Sequence, residues 1–181
     1  MCIRDSFTKL PKFKDNAWRG GDNMPDEKLG YVNLTANGGH PGNSHAHAAV
    51  RRFTAPHDGL FTISGTLKRP AKEGDGVRAL AILEGKPPLG DWEVTTGEVA
   101  TSVGRVQLKA GQTLDFVVDG KSGPGWDGFE WSPQVAGIDG TNGTWNAADG
   151  FSGPKSAKPT LSAWERYAQA LLMTNEFVFV D

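Results

Sequence analysis

Along residues 60–67 the chain alternates. Phe61, Ile63, Gly65 and Leu67 fall on one face, and Thr62, Ser64, Thr66 and Lys68 on the other. A period of two is that of a strand with one face buried. The same alternation returns at Leu114, Phe116 and Val118, within a strand expected over 113–119. Residues 77–83 are apolar on both faces apart from Arg78, which suits a central strand. Further strands are expected at 31–35, 49–54, 91–95 and 103–108. Phe129, Trp131 and Pro133 suggest a last, edge strand, because proline cannot donate to a ladder. Between these runs lie turn signals. Ala55-Pro56-His57-Asp58-Gly59 is a tight connection that would join 49–54 and 60–67 as a hairpin. Residues 37–43 form a loop in which four of seven residues are Gly or Pro. Pro87 to Gly90 breaks the run before it, and 121–128 is a glycine-rich loop carrying Trp126.

Near the end the period changes. Ser162-Ala163-Trp164-Glu165 has the form of a capping box, and Trp164, Ala168, Leu171 and Leu172 follow at i, i+4, i+7 and i+8. The expected fold is therefore all-β: an antiparallel β-sandwich of jelly-roll type, then a linker and one C-terminal α-helix. The divisions are an irregular lead-in at 7–30, the β-sandwich domain at 31–136, a Gly/Asn/Pro/Lys linker at 137–160, and the helix and tail at 161–181. Residues 1–6 (Met-Cys-Ile-Arg-Asp-Ser) read as the translation of a transposon mosaic-end sequencing adapter, which marks the chain as a metagenomic fragment. The single cysteine, Cys2, lies in that segment, so cysteine usage says nothing about redox compartment.

Composition narrows the function classes. The 24 glycines and 11 prolines have no period, which excludes collagen and suits many short strands joined by turns. A net charge of −2 offers no basic stripe for nucleic acid. No apolar run reaches the ~18 residues that a membrane span needs.

Several motifs, Gly30 to Ala36, Gly38 to Asn43 and His47 to Phe53 among them, resemble the C-terminal part of the planctomycete cytochrome c domain-containing proteins. So do Ile63 to Lys68, Gly74 to Arg78, Asp115 to Asp119 and the closing Asn175 to Asp181. The resemblance covers about residues 18–181. It implies a large exported protein with an upstream cytochrome c-like region, domains of unknown function and a β-sandwich inserted shortly before the last helix. On that reading 161–181 belongs to an absent helical domain, which it would meet through Trp164, Leu171 and Leu172. No Cys-x-x-Cys-His is present, so this piece attaches no heme.

Three groups of residues carry candidate chemistry. His40, His45 and His47 lie within eight residues, with Asp75 a further candidate for a metal site. The competing reading is a polar loop whose histidines bond the backbone. Asp58, Asp75, Asp119 and Asp127 each adjoin glycine, a pattern that suits a structural calcium and equally suits plain turns. Of six tryptophans, Trp126 sits in Gly123-Pro124-Gly125-Trp126-Asp127-Gly128, with Trp92 and Trp145 also beside turns. An indole at a loop tip can stack on a sugar ring while a neighbouring Asp accepts from hydroxyls. Trp131 and Trp164 read as packing. No nucleophile elbow or phosphate loop is present, and no pair of carboxylates has a spacing that would set it across a cleft. The chain thus reads as a non-catalytic accessory module that binds a polysaccharide or glycan, with Trp126, Asp127, Trp92 and Trp145 as ligand contacts. The alternative is a structural module packed on the missing helical domain.

Overall fold

The computed structural model describes residues 7–123, 125–138, 143–154 and 162–164. Along them run β1 (Lys12–Lys14), β2 (Ala17–Arg19), β3 (Asn33–Thr35), β4 (Gly38–His40), β5 (Ala49–Thr54), β6 (Gly59–Ser64), β7 (Thr66–Arg69) and β8 (Val77–Leu83). Then come β9 (Pro88–Val94), β10 (Gly97–Ala100), β11 (Val103–Leu108), β12 (Thr113–Gly120), β13 (Phe129–Glu130), β14 (Gln134–Gly137) and β15 (Thr144–Asn146). One three-residue 3-10 turn, His45–His47, precedes β5.

The strands form three antiparallel sheets. Their orders are β1-β2-β3-β4-β13-β7-β10, β11-β6-β14-β15 and β5-β12-β8-β9. The last of these presents Phe53, Ala79, Ala81, Leu83, Leu114, Phe116 and Val118 to a core shared with Phe61, Ile63, Leu67, Leu108 and Val135 of the other two and with Trp131, just after β13. The architecture is therefore β-sandwich-like. The alternation explains which face goes inside: in β8 residues 77, 79, 81 and 83 are buried, and in β12 residues 114, 116 and 118 face the core while Asp115 and Val117 are also covered on the other face. Bulk is matched across the ladder. Phe116 pairs with Ala81 and Val118 with Ala79, so large sits beside small. Phe116 meets Trp131 edge-on at 5.6 Å, and Phe53 meets Phe61 at 6.1 Å, tying the layers together. Each such buried side chain contributes about 1.5–3 kcal/mol. On the outer face of β12, Asp115 takes two hydrogen bonds from its cross-strand partner Arg52, at 2.7 and 2.9 Å.

The expected hairpin of 49–54 with 60–67 does not form. β5 pairs with β12, whereas β6 pairs with β11 and β14. Ala55 is held to the 109–112 turn by Ala55 N–H to Gln112 O (3.0 Å) and Gly111 N–H to Ala55 O (2.8 Å). The chain therefore changes sheet at Pro56 instead of turning back beside itself. Nor is 129–133 an edge. β13 lies between β4 and β7, and Pro133 falls after it, in the bend before β14. The proline at a true edge is Pro88, in the outermost strand β9.

Two segments expected to be irregular contribute strands to the sandwich in their described residues. The lead-in 7–30 holds the β1–β2 hairpin. The linker 137–160 contains β15 and then the buried Ala147, whose N–H donates to Pro133 O at 3.0 Å. These two segments meet. Trp18 Nε1 donates to Ser152 O at 3.0 Å, and Phe13 packs on Trp18 and Phe151. Arg51 lies over the Phe151 ring and donates to the carbonyls of Thr35, Gly38 and Ala147. The expected C-terminal helix lies outside the described residues, apart from Ser162–Trp164, where Trp164 is 80% exposed.

The loop expected at 37–43 contains β4, and glycine is what admits it. A Cβ at Gly38 would stand 2.0 Å from Phe129 O, and one at Gly39 2.3 Å from Asn33 O. Gly38→Ala should therefore cost about 1–3 kcal/mol in urea unfolding, the usual range for overpacking. Gly104→Ala, in β11 with open space around it, should cost far less.

Candidate functional site

Three connections converge at one end of the sandwich. They are 70–76 (β7 to β8), the turn 95–96 (β9 to β10) and 121–128 (β12 to β13). What draws them together is Arg69, the last residue of β7, which is 0% exposed. Its guanidinium donates to Ala71 O at 2.9 Å and to the carbonyls of Glu73 and Thr95. Backbone carbonyls that would otherwise be orphaned in these turns are satisfied by one fork of donors. Asp127, also 0% exposed, faces it with Oδ1 4.0 Å from Arg69 Nη2, an ion pair without a hydrogen bond.

The 121–128 loop is pinned twice more. Asp75 Oδ2 accepts from Ser122 N–H at 2.6 Å and from the Ser122 hydroxyl. These bonds hold the Asp75 carboxyl below its ordinary value. Gly74, at φ +81°, packs under the loop: a Cβ there would lie 2.6 Å from Gly125 O and 3.4 Å from the Trp126 Cβ. On this anchored base Trp126 stands 64% exposed, with φ +68°. A left-handed backbone at a bulky residue costs on the order of 1–3 kcal/mol and persists only where its surroundings impose it.

The other candidates fall elsewhere. Trp92 packs its ring against Trp131 at 6.1 Å, and Trp145 stacks on Phe116 at 5.9 Å and leans on Phe53 at 5.3 Å. Both rings join the core, so neither is an open platform beside Trp126. Asp127 is sealed from solvent and cannot reach an outside hydroxyl; the accessible polar groups on the same loops include Glu73, Asp75, Lys121 and Ser122. Burial pushes the Asp127 carboxyl up, and the charges of Asp75 and Asp119 act in the same direction, against His40 and Arg69.

The histidines do not assemble. His40 Nδ1 turns to the carbonyl of Pro41, His45 bonds Asp119 Oδ2, and Asp75 is committed to Ser122. Among the described residues no three His, Cys, Asp or Glu side chains converge to hold a metal ion. His40, His45, His47 and Asp75 are therefore not brought together as a site among the described residues, where His47 Nδ1 is buried with no hydrogen-bond partner. Sequence reasoning passed over Arg69 altogether. Its one signal was an arginine at an inward position of β7, in step with Leu67.

No family model and no curated protein matches the chain. Among solved structures it is similar to a PA14 sugar-binding domain from an RTX adhesin, at 11% identity and a TM-score of 0.34. That likeness covers 55% of this chain and 52% of the other. It is also similar to a β-glucosidase from Paenibacillus barengoltzii, at 16% identity and a TM-score of 0.30, over 52% of this chain and 10% of the enzyme. The chain thus spans about half the length of the first and a tenth of the second. At these scores the loop geometry, not the likeness, bears on function. An open cleft of about 410 Å³ borders the same connections, lined by Arg69, Pro70, Lys72 and Thr96 together with Lys68 and Glu130. Within it Lys68 pairs with Glu98 at 3.0 Å.

Arg69→Ala should destabilise the fold by about 3–5 kcal/mol in urea unfolding, the range for breaking a buried pair, since it strands Asp127 and the loop carbonyls. For Asp75 the sign runs the other way from Asp127. Its folded pKa is depressed, so its contribution is present above the ordinary value of 3.8 and is lost as pH falls through the folded one. In an NMR titration the Ser122 amide should therefore shift with a midpoint below 3.8, and Asp75→Asn should abolish that transition.

Proposed function

We propose that this β-sandwich is a non-catalytic accessory module that binds a glycan through Trp126, within a larger exported multidomain protein. One observation carries the reading. A bulky indole is held in a left-handed conformation and turned to solvent, on a loop fixed by Asp75, Gly74 and Arg69. Nothing in packing calls for this arrangement. Glycine at position 126 would adopt the same backbone without strain and would remove the exposed ring. Strain of this kind concentrates at binding and catalytic sites. A rigidly presented aromatic face suits the apolar face of a pyranose, with little entropy left to lose on binding. Glu73, Asp75, Lys121 and Ser122 then supply hydroxyl partners at its rim, the role first given to Asp127.

Export and a parent protein of several domains rest on the family resemblance. Among the described residues no helix is long and apolar enough to cross a membrane.

Affinity electrophoresis of the chain through gels containing different polysaccharides tests the reading. Retardation is expected on at least one polymer and should disappear in Trp126→Ala. Trp126→Gly should also lose retardation while unfolding at an equal or higher urea concentration, because the left-handed strain is released. Equal migration on every polymer would favour the structural alternative, a module that packs on a helical domain through Trp164 and its neighbours.

A further inference from the structure

After the Trp126 loop the chain enters β13, and there three neighbouring strands carry a polar row. Glu130 of β13 stands opposite Lys68 of β7, and Lys68 stands opposite Glu98 of β10. Cross-strand partners share a face, and all three side chains are exposed. Phe129 and Leu67 of the same strands turn the other way, into the core. Neighbouring strands lie about 4.8 Å apart, so the row is about 10 Å long. With Pro70, Lys72 and Thr96 it lines the open cleft of about 410 Å³.

The cleft and Trp126 adjoin one connection. A Cβ at Gly74 would lie 3.4 Å from the Trp126 Cβ. Lys72 is two residues from Gly74, so their Cα atoms are at most about 7 Å apart. An exposed indole and a polar cleft are thus within reach of one extended ligand. The charges of the cleft say what kind. Its exposed lysines, Lys68 and Lys72, are matched by two exposed glutamates, Glu98 and Glu130, so they cancel. Arg69 beneath is spent on Asp127 and the loop carbonyls. A balanced rim does not draw in a polyanion or a polycation by net charge. A hydroxyl, by contrast, can accept from an ammonium group and donate to a carboxylate. The Lys68–Glu98 pair, at 3.0 Å, is exposed and weak, and both partners keep spare hydrogen-bonding capacity.

We propose that the module binds an uncharged polysaccharide along its chain, with one sugar on Trp126 and the next ones running past Lys72 into the cleft. Lys72, Lys68, Glu98 and Glu130 meet their hydroxyls. This inference rests on the glycan reading and adds to it the class of polymer and a second contact region. The repeat of a pyranose chain is close to the strand spacing, so the row accepts about two or three rings. The module therefore recognises length as well as the face of one ring.

The test is affinity electrophoresis on hydroxyethyl cellulose, galactomannan and laminarin as uncharged polymers, and on alginate and polygalacturonate as charged ones. Retardation is expected on an uncharged polymer. There the double variant Lys72→Ala/Glu130→Ala should raise the dissociation constant about tenfold, the loss of one or two net hydrogen bonds. Its Tm should stay unchanged, since both side chains are exposed. Thr96→Trp, which fills the cleft, should weaken binding as well. In calorimetry with oligosaccharides cut from the retarding polymer, affinity should climb up to roughly four sugars, the ring on Trp126 and those beyond it. It should climb far less in the double variant. Retardation that Trp126→Ala abolishes but both cleft variants leave intact would overturn the cleft and keep the indole reading. Tightest binding to alginate or polygalacturonate would overturn the uncharged class. A single sugar held as tightly as four would overturn the extended site. No retardation on any polymer would overturn the glycan reading itself, and this inference with it.

Discussion

A guanidinium with no access to water fixes one end of this molecule. Arg69 closes β7 and at once satisfies carbonyls from the connection that follows it and from the turn between β9 and β10. The shape of those turns is tied to where the N–H groups of one planar fork can point. Buried arginine is costly to desolvate, and an apolar residue of similar size often serves stability as well or better. Here the charge also sets the field in which Asp127 sits, and through Asp127 the course of the chain past Trp126. The apolar core holds the sheets together; this one cation gives the loops above it a single arrangement.

Around that fixed point the molecule holds arrangements that folding alone does not favour. The Trp126 backbone is left-handed, and its ring is mostly in water. Asp127 and Asp119 carry buried oxygens that no donor reaches. Each opposes stability, and all lie within the same short stretch of β12 and the loop after it. In the central ladder the chain obeys local rules closely, with small residues opposite large ones and outward charges paired across it. A left-handed exposed tryptophan beside unpartnered buried carboxylates is a local conflict of the kind that functional sites carry.

Much of the fold was legible because it depends on a period of two. The inward faces of β6, β8 and β12 can be read directly from Phe61, Ile63, Val77, Ala79, Leu114 and Phe116. Pairing was not legible, because alternation says which face is buried and nothing about which strand lies alongside. Ala55 and the 109–112 turn decide that β5 and β6 part company, and those backbone bonds have no residue signature. β4 was hidden for the opposite reason. Its Gly38 and Gly39 look like loop residues, yet they are glycine because neighbouring strands come too close for a side chain. At the site, Trp126 stood out through its glycine-flanked loop. Trp92 and Trp145 carried the same signal and pack inward, since a large ring beside a turn can fold over the core as easily as leave it.

The seam between the first hairpin and the segment after β15 has a mechanical meaning. Trp18 bonds Ser152 while Phe13, Phe151 and Arg51 pack around them, so the two flanks of the sandwich run side by side. A pull applied to those flanks would reach this clasp before it reached the central ladders of β12 and β8. The clasp has one direct hydrogen bond and a few rings to break, whereas the ladder registers seven residue pairs. Tension would therefore open the neck and leave the body folded, and the Trp126 loop would keep its shape while the chain around it was stretched.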